Sequence, residues 1–414
     1  MVPRYPRRLS PPALFRALRH RNFRLFLSGQ IVSLCGTWMQ NVAQSWLVYR
    51  LTHSELLLGT AWFCAQVPVF ALGPLGGLAS DRWSRHRIVV ATQVLSMIQA
   101  LVLAAMTLSG SIVVWHVLAL SVALGVINAF DMPARQSLIV QMASKEDLLN
   151  AISLNSTTFN MARVVGPGIA GVLVAAVGEG VCFLINGISF LAVIGGLLAM
   201  RLPEREDTAS LEESPLSHLI DGFRAVYRNR PVRNVLLLMA ATTIGSMPVV
   251  VLMPFFADAI FHRGAQGLGV LSAAMGSGAV VGVLGLAMRS ELAGLARVIF
   301  WSALSLGAAF VLFSVSPSFS FSVAVMVLVG FSVFRQLAAA NTLIQSLTPD
   351  QYRGRTMALY SMTVVGLGPF GSLLSGALGH GLGVRATVLA SGVLCAAAAG
   401  WFRVWGEGAA HAGE

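Results

Sequence analysis

Gly77-Leu78-Ala79-Ser80-Asp81-Arg82-Trp83-Ser84-Arg85-His86-Arg87 sets three arginines, a histidine and one carboxylate into eleven residues. It stands between two apolar runs, 56–79 and 88–108. Each run has about 20 residues, the length an α-helix needs to cross the hydrocarbon core of a bilayer. A short arginine-rich connection between two such runs reads as the cytoplasmic turn of a membrane hairpin, because short cytoplasmic loops collect positive charge.

Outward from this turn the pattern repeats. The 414 residues are 56% hydrophobic and only 11% charged, against about 45–50% and about 25% in an average soluble domain. That balance excludes an ordinary soluble enzyme. Apolar windows between charges and turn residues give twelve spans, at 23–49, 56–79, 88–108, 112–134, 150–177, 180–200, 234–260, 267–288, 296–315, 319–341, 357–381 and 384–402. The expected organisation is an Arg-rich segment 1–22, a six-helix bundle 23–200, a linker 201–233, a second six-helix bundle 234–402 and a tail 403–414. In the linker, Leu216, Leu219, Ile220, Phe223, Val226 and Tyr227 recur at three- and four-residue steps, which predicts an amphipathic helix, either lying in the interface or simply linking the bundles.

The net charge of +11 is almost all arginine, Lys145 being the only lysine. Its arginines are scattered through short connections with no aromatic interleaving, so they point to topology and away from nucleic acid. An even number of spans puts both termini on one side. That side carries Arg4, Arg7, Arg8, Arg16, Arg19, Arg21, Arg24, Arg82, Arg85, Arg87, Arg135, Lys145, Arg289, Arg297, Arg353, Arg355 and Arg403, while the other carries little beyond Arg50, Arg263 and Arg385. Both termini are therefore expected in the cytoplasm. The N-terminus has no A-x-A cleavage pattern and is expected to be retained.

Cys35, Cys64, Cys182 and Cys395 fall in apolar runs without metal-ligand spacing, and no two histidines sit three to five residues apart, so no metal and no cofactor is expected. Gly366-Leu367-Gly368-Pro369-Phe370-Gly371 fits a dinucleotide-binding pattern but lies inside a span without the required strand. The chain also lacks a phosphate-binding G-x-x-x-x-G-K-S/T loop, which leaves an ion gradient as the energy source. The halves read as diverged copies about 200 residues apart. Val165-Gly166-Pro167 with Gly171 is echoed by Leu367-Gly368-Pro369 with Gly371, and Ser137-Leu138-Ile139 by Thr342-Leu343-Ile344.

The turn at 77–87 resembles the G-x-x-x-D-R-x-G-R-R/K loop of the major facilitator superfamily, with Ser84 for the usual glycine and His86 for a usual basic residue. The resemblance implies two pseudo-symmetric six-helix bundles, and a cytoplasmic latch built from Gly77, Asp81, Arg82 and Arg85. Asp81 would meet Arg135 or the start of span 11 near Arg355. Gly77 is assigned the close approach to a neighbouring helix. Arg163-Val164-Val165-Gly166-Pro167-Gly168-Ile169-Ala170-Gly171 resembles the glycine- and proline-rich motif of the superfamily's antiporters, with Gly166, Pro167 and Gly171 as its packing residues. The stretches 15–26, 128–137 and 182–187 look like the branch that holds the enterobactin exporter and the macrolide efflux proteins.

Span 1 carries Gln30, Ser33, Thr37, Gln40 and Gln44 on one stripe, with Asn41 beside it. Amides facing lipid are costly, so the stripe either lines a cavity or packs on another polar helix. Since the resemblance puts span 1 at the central cavity, Gln30, Thr37, Gln40, Asn41 and Gln44, with Asn128 and Asn155, are substrate-contact candidates. The intramembrane charges Asp131, Arg163, Arg335 and Asp258 are candidates for proton coupling, with Asp131 pairing to Arg163 or Arg335 in one state, or else forming a permanent structural ion pair. Span 1 has no acidic residue, unlike several known drug antiporters, so Asp131 or Asp258 would have to carry the proton. The expected protein is a monomeric proton-coupled exporter of a small amphipathic molecule, drug or siderophore-like, in the bacterial inner membrane. The alternative is a lysophospholipid transporter of the same fold.

Overall fold

The computed structural model describes residues 15–201, 229–288 and 294–405. The amphipathic helix expected within the linker lies outside the described residues. The chain forms helices α1 (Arg21–Thr52), α2 (Glu55–Arg82), α3 (Arg85–Leu108), α4 (Val114–Met142), α5 (Leu148–Val177) and α6 (Glu179–Leu198). They are followed by α7 (Arg230–Val251, continued by Met253–Phe255 and the π-turn Phe256–Ile260), α8 (Gly264–Ala287), α9 (Leu295–Val315) and α10 (Phe319–Leu347). The last two are α11 (Asp350–Ser361, the π-turn Met362–Gly366 and Leu367–Leu382) and α12 (Val384–Trp405). Eleven of them are long and apolar enough to cross a membrane. The twelfth, α1, has 32 residues but carries Gln40, Asn41 and Gln44 at its centre, which pull its hydropathy below the others.

Local chemistry sets the helix ends. Ser54, Asn229 and Ser318 accept the backbone N–H groups of Leu57, Val232 and Phe321, satisfying the first turns of α2, α7 and α10. Between α5 and α6, and again between α11 and α12, a single residue makes the turn. These are Gly178 (φ 84°) and Gly383 (φ 85°), in a region that side chains disfavour.

In the first half α1 packs on α5 and α6, α2 on α4, and α3 on α4 and α6. In the second α7 packs on α11 and α12, α8 on α10, and α9 on α10 and α12, the same scheme advanced by six helices. The two dominant contacts between halves, α5 with α8 and α2 with α11, exchange under that relation. Glycines mark the register. A Cβ on Gly166 would meet Trp38 and Cys35 of α1, and one on Gly371 would meet Met247 and Ile244 of α7. A Cβ on Gly171 would meet Gly269, and one on Gly376 would meet Glu55 and Gly59. Small residues at these points let backbones touch.

This corrects the repeat read from sequence. The packing equates Gly166 with Gly371 and Gly171 with Gly376, both 205 residues apart, whereas Gly368 has nothing within 4 Å of a built Cβ and is no packing glycine. The Gly-Pro echo at 368–369 is a coincidence of composition. The Ser137-Leu138-Ile139 echo has the 205-residue spacing that the packing shows.

Both chain ends of the bundle lie on one face, and the α1–α2 turn on the far face. Three clusters of buried apolar side chains follow this division. One, with Phe23, Leu138 and Leu197, belongs to the first half near the chain ends, and another, with Leu236, Ile299 and Leu343, to the second half. The third joins both halves towards the far face through Leu47, Val251, Phe256 and Leu271. The halves share a core on the far side and have separate cores on the near side.

Candidate functional site

Where α1, α2, α5, α7, α8 and α10 meet, a cavity of about 300 Å³ is lined by Trp38, Asn41, Trp62, Arg163, Met247 and Phe334 among others. It lies beneath the shared core. Tyr49, two turns beyond Asn41 on α1, donates its hydroxyl to Asp258 Oδ2 at 2.8 Å and sets its ring 4.8 Å from Phe255, joining the halves above the cavity. Glu55 and His380 meet at 3.7 Å at the far ends of α2 and α11. Asp258 is thus part of the far-side closure.

Arg163 is the one charged residue in the lining. Its guanidinium carbon sits 4.1 Å from the ring centre of Phe334, 4.9 Å from Trp38 and 5.3 Å from Phe159. Its Nη1 is buried without a hydrogen-bond partner among the described residues. Cation–π contacts supply about 0.5–2 kcal/mol each, whereas removing a charge from water costs several kcal/mol after relaxation. Arg335 is similar, with its guanidinium carbon 5.2 Å from the Phe331 ring centre and Nε without a partner among the described residues.

The expected pairing of Asp131 with Arg163 or Arg335 is not formed. Asp131, 1% exposed, pairs with Arg135 one turn along its own helix at 2.5 Å. Its Oδ1 also accepts from Thr92 Oγ1 at 2.7 Å and Gln93 Nε2 at 2.9 Å of α3. The i,i+4 geometry brings Arg135 within reach without any movement of helices, which neither other arginine can match. Arg135, expected as a partner of Asp81, is thereby engaged elsewhere. Asp81 is exposed and lies 3.9 Å from Arg85, which also donates to the Ser80 carbonyl, and Arg82 is exposed as well. The close helix approach assigned to Gly77 belongs to Gly76, where a Cβ would run into the Ala129 backbone; Gly77 has open space.

The polar stripe of α1 divides. Gln40 is buried inside the first bundle, donating to Gln99 Oε1 at 3.1 Å and accepting from Asn186 Nδ2 at 2.7 Å. Gln44 donates to Ser121 Oγ at 2.8 Å, and Thr37 bonds back to the Ser33 carbonyl. Gln30 is buried. Of the stripe and its neighbour only Asn41 lines the large cavity, with Ser45 one turn on. Asn128 and Asn155 are half-buried and lie outside that lining. Trp38, Trp62 and Phe334 went unnoticed in the sequence because aromatic residues in apolar runs look like any core.

Asp147, at the turn before α5, was also missed. It gathers Arg16 at 3.2 Å, Arg19 at 2.6 Å and His20 at 2.8 Å, and next to it Asn150 accepts the Ala17 N–H at 2.9 Å. The hydrogen bond from His20, joined by the Arg19 and Arg16 charges, holds this carboxyl below the usual carboxylate range. It fastens the chain's start to the near face of the first half.

The profile of the transmembrane secretion effectors matches residues 13–404. The staphyloferrin A transporter of Staphylococcus aureus is 25% identical over 375 residues, 89% of this chain and 92% of that protein. The multidrug efflux pump Tap of Mycolicibacterium fortuitum is 26% identical over 376 residues, 88% and 91% of the two. Macrolide efflux protein A of Streptococcus pyogenes is 22% identical, over 90% and 93%. Among solved structures, a bacterial homologue of the iron transporter ferroportin in an inward-facing state superposes with a TM-score of 0.71 at 17% identity, covering 94% of this chain and 99% of that one.

Proposed function

Because the chain belongs to the transmembrane secretion effectors of the major facilitator superfamily, and is a multi-pass membrane transporter, not an enzyme, we propose that it exports a small amphipathic molecule, drug or siderophore-like. Export runs by alternating access across the bacterial inner membrane, with both termini cytoplasmic, in a monomer coupled to protons. The observation that carries this reading is the cavity at the pseudo-two-fold junction, with a shared core above it and separate cores below. In a transporter whose two repeats rock about a central site, this is the arrangement open towards the chain ends. Arginine bias puts the chain ends in the cytoplasm, so the cavity stands ready to load from inside.

Opening the far side breaks the Tyr49–Asp258 hydrogen bond, which frees a carboxylate on the outer path and makes Asp258 the proton candidate beside Asp131. The test is proteoliposomes with an internal pH dye and an imposed proton gradient, given macrolides, siderophores and lysophospholipids. Solute-dependent proton movement that fails in Asp131→Asn or Asp258→Asn is the expected result. Solute movement without protons contradicts coupling, and movement of lysophospholipid alone favours the lipid alternative.

A further inference from the structure

We propose that the substrate carries an anionic oxygen group, a carboxylate or a phosphate, and that Arg163 receives it inside the central cavity. The inference deepens the export reading, on which it rests for the direction of movement but not for binding. It starts from a charge that no carboxylate in the cavity lining balances. A guanidinium stays protonated at any physiological pH, so Arg163 cannot shed its charge to suit its surroundings. It lines the cavity, its Nη1 is buried and unbonded, and its neighbours are the rings of Trp38, Phe159 and Phe334.

The pseudo-symmetry sharpens the imbalance. The 205-residue spacing that relates α5 to α11 puts Gly368 at the place of Arg163, and a Cβ there would meet open space. The second half thus offers no counter-charge from the related position, and what it sets against the cation is the Phe334 ring. The remaining lining shows which body the anion is attached to. Asn41, Ser45 and Ser272 are neutral polar groups, whereas Trp38, Trp62, Met247, Met275 and Phe334 offer flat or adaptable apolar surface. An apolar or aromatic body bearing one oxyanion meets both parts. The fork of an arginine pairs with a carboxylate or phosphate through two N–H groups, and Nη1 of Arg163 has no such partner among the described residues. A cationic amphiphile is disfavoured, since no carboxylate lines the cavity to receive it.

The test uses purified protein in neutral phosphatidylcholine nanodiscs, with binding read from tryptophan fluorescence because Trp38 and Trp62 line the site. The probes are citrate, decanoate and coumarin-3-carboxylate, each beside its uncharged ethyl ester. At least one acid should bind tenfold or more tightly than its ester. Arg163→Gln should remove that preference while ester binding stays within about twofold, which shows that the cavity still folds, and Arg163→Lys should retain part of it. Equal binding of every acid and its ester, or a preference that survives Arg163→Gln, overturns the proposal. Repeating the titration with phosphatidylglycerol in the disc separates the two sources of anion. Loss of the preference there assigns the site to a lipid phosphate, and its persistence assigns it to a solute. Efflux of the same compounds from proteoliposomes keeps the two readings apart. Esters pumped as well as acids leave export standing without the anion site, and an Arg163-dependent acid preference without efflux does the reverse.

Discussion

The two halves share one packing frame and fill it with different chemistry. Gly36 fits against Asn186 in the first half as Gly245 fits against Cys395 in the second, both pairs with members 209 residues apart. On that spacing the place of Gln40, bonded to both Asn186 and Gln99, is taken by Val249. Gln44 corresponds on that spacing to Met253, and its partner Ser121, on the 205-residue spacing that relates Gly125 of α4 to Gly330 of α10, to Met326, both buried. The glycine contacts that let helices touch are retained on both sides, and the amides are not. Backbone proximity therefore holds the fold, and interior polarity is free to diverge provided each amide keeps its partner. The first half is registered by directional bonds, the second by shape.

That contrast can be broken most forcefully by putting an amide into the apolar half. Cys395→Asn places an unpartnered carboxamide against Gly245 and should cost about 3 kcal/mol, from an unsatisfied polar group and overpacking together. Chemical denaturation in detergent measures it, and wild-type stability would show that the second interior tolerates polarity after all. Next in size, Gln40→Leu removes the partners of Asn186 Nδ2 and Gln99 Oε1 at once and should cost about 1–2 kcal/mol in the same assay. A neutral outcome would mean that the network is ornamental and the first half is held by shape too. The smallest effect is expected for Gln336→Leu. It removes one bond from Gln336 Nε2 to Thr242 Oγ1 at 3.1 Å in the second half, worth about 0.6 kcal/mol. If it matched Gln40→Leu, the two interiors would not differ in the way described.

Much of this protein was legible in its residues. Twelve apolar windows, the break at 201–233 and the loop at 77–87 led to two six-helix bundles of the major facilitator type, and the packing and the family match agree. The reason is physical. A bilayer forces each span to satisfy its backbone within itself, so the length and hydropathy of a segment reveal a helix without knowledge of its neighbours. The site was legible only in outline. Asn41 and Arg163 were among the candidates and line the cavity, while Gln40, chosen by the same stripe, is buried inside the first bundle, and Gln44 lines a small pocket beside Asn41 and Trp62.

The sequence by itself determined the elements: which segments span, how they divide and which residues carry charge inside them. Tertiary structure decided the partners. It gave Asp131 to Arg135 rather than to Arg163 or Arg335, shifted the glycine register from about 200 to 205 residues, and left Arg163 alone among rings. Helical periodicity gives the direction of a face relative to its own axis, and a helix in a bundle has neighbours on nearly every side. Whether a polar face meets a cavity or another helix depends on how the helices are placed, which is set by contacts spread over the whole chain.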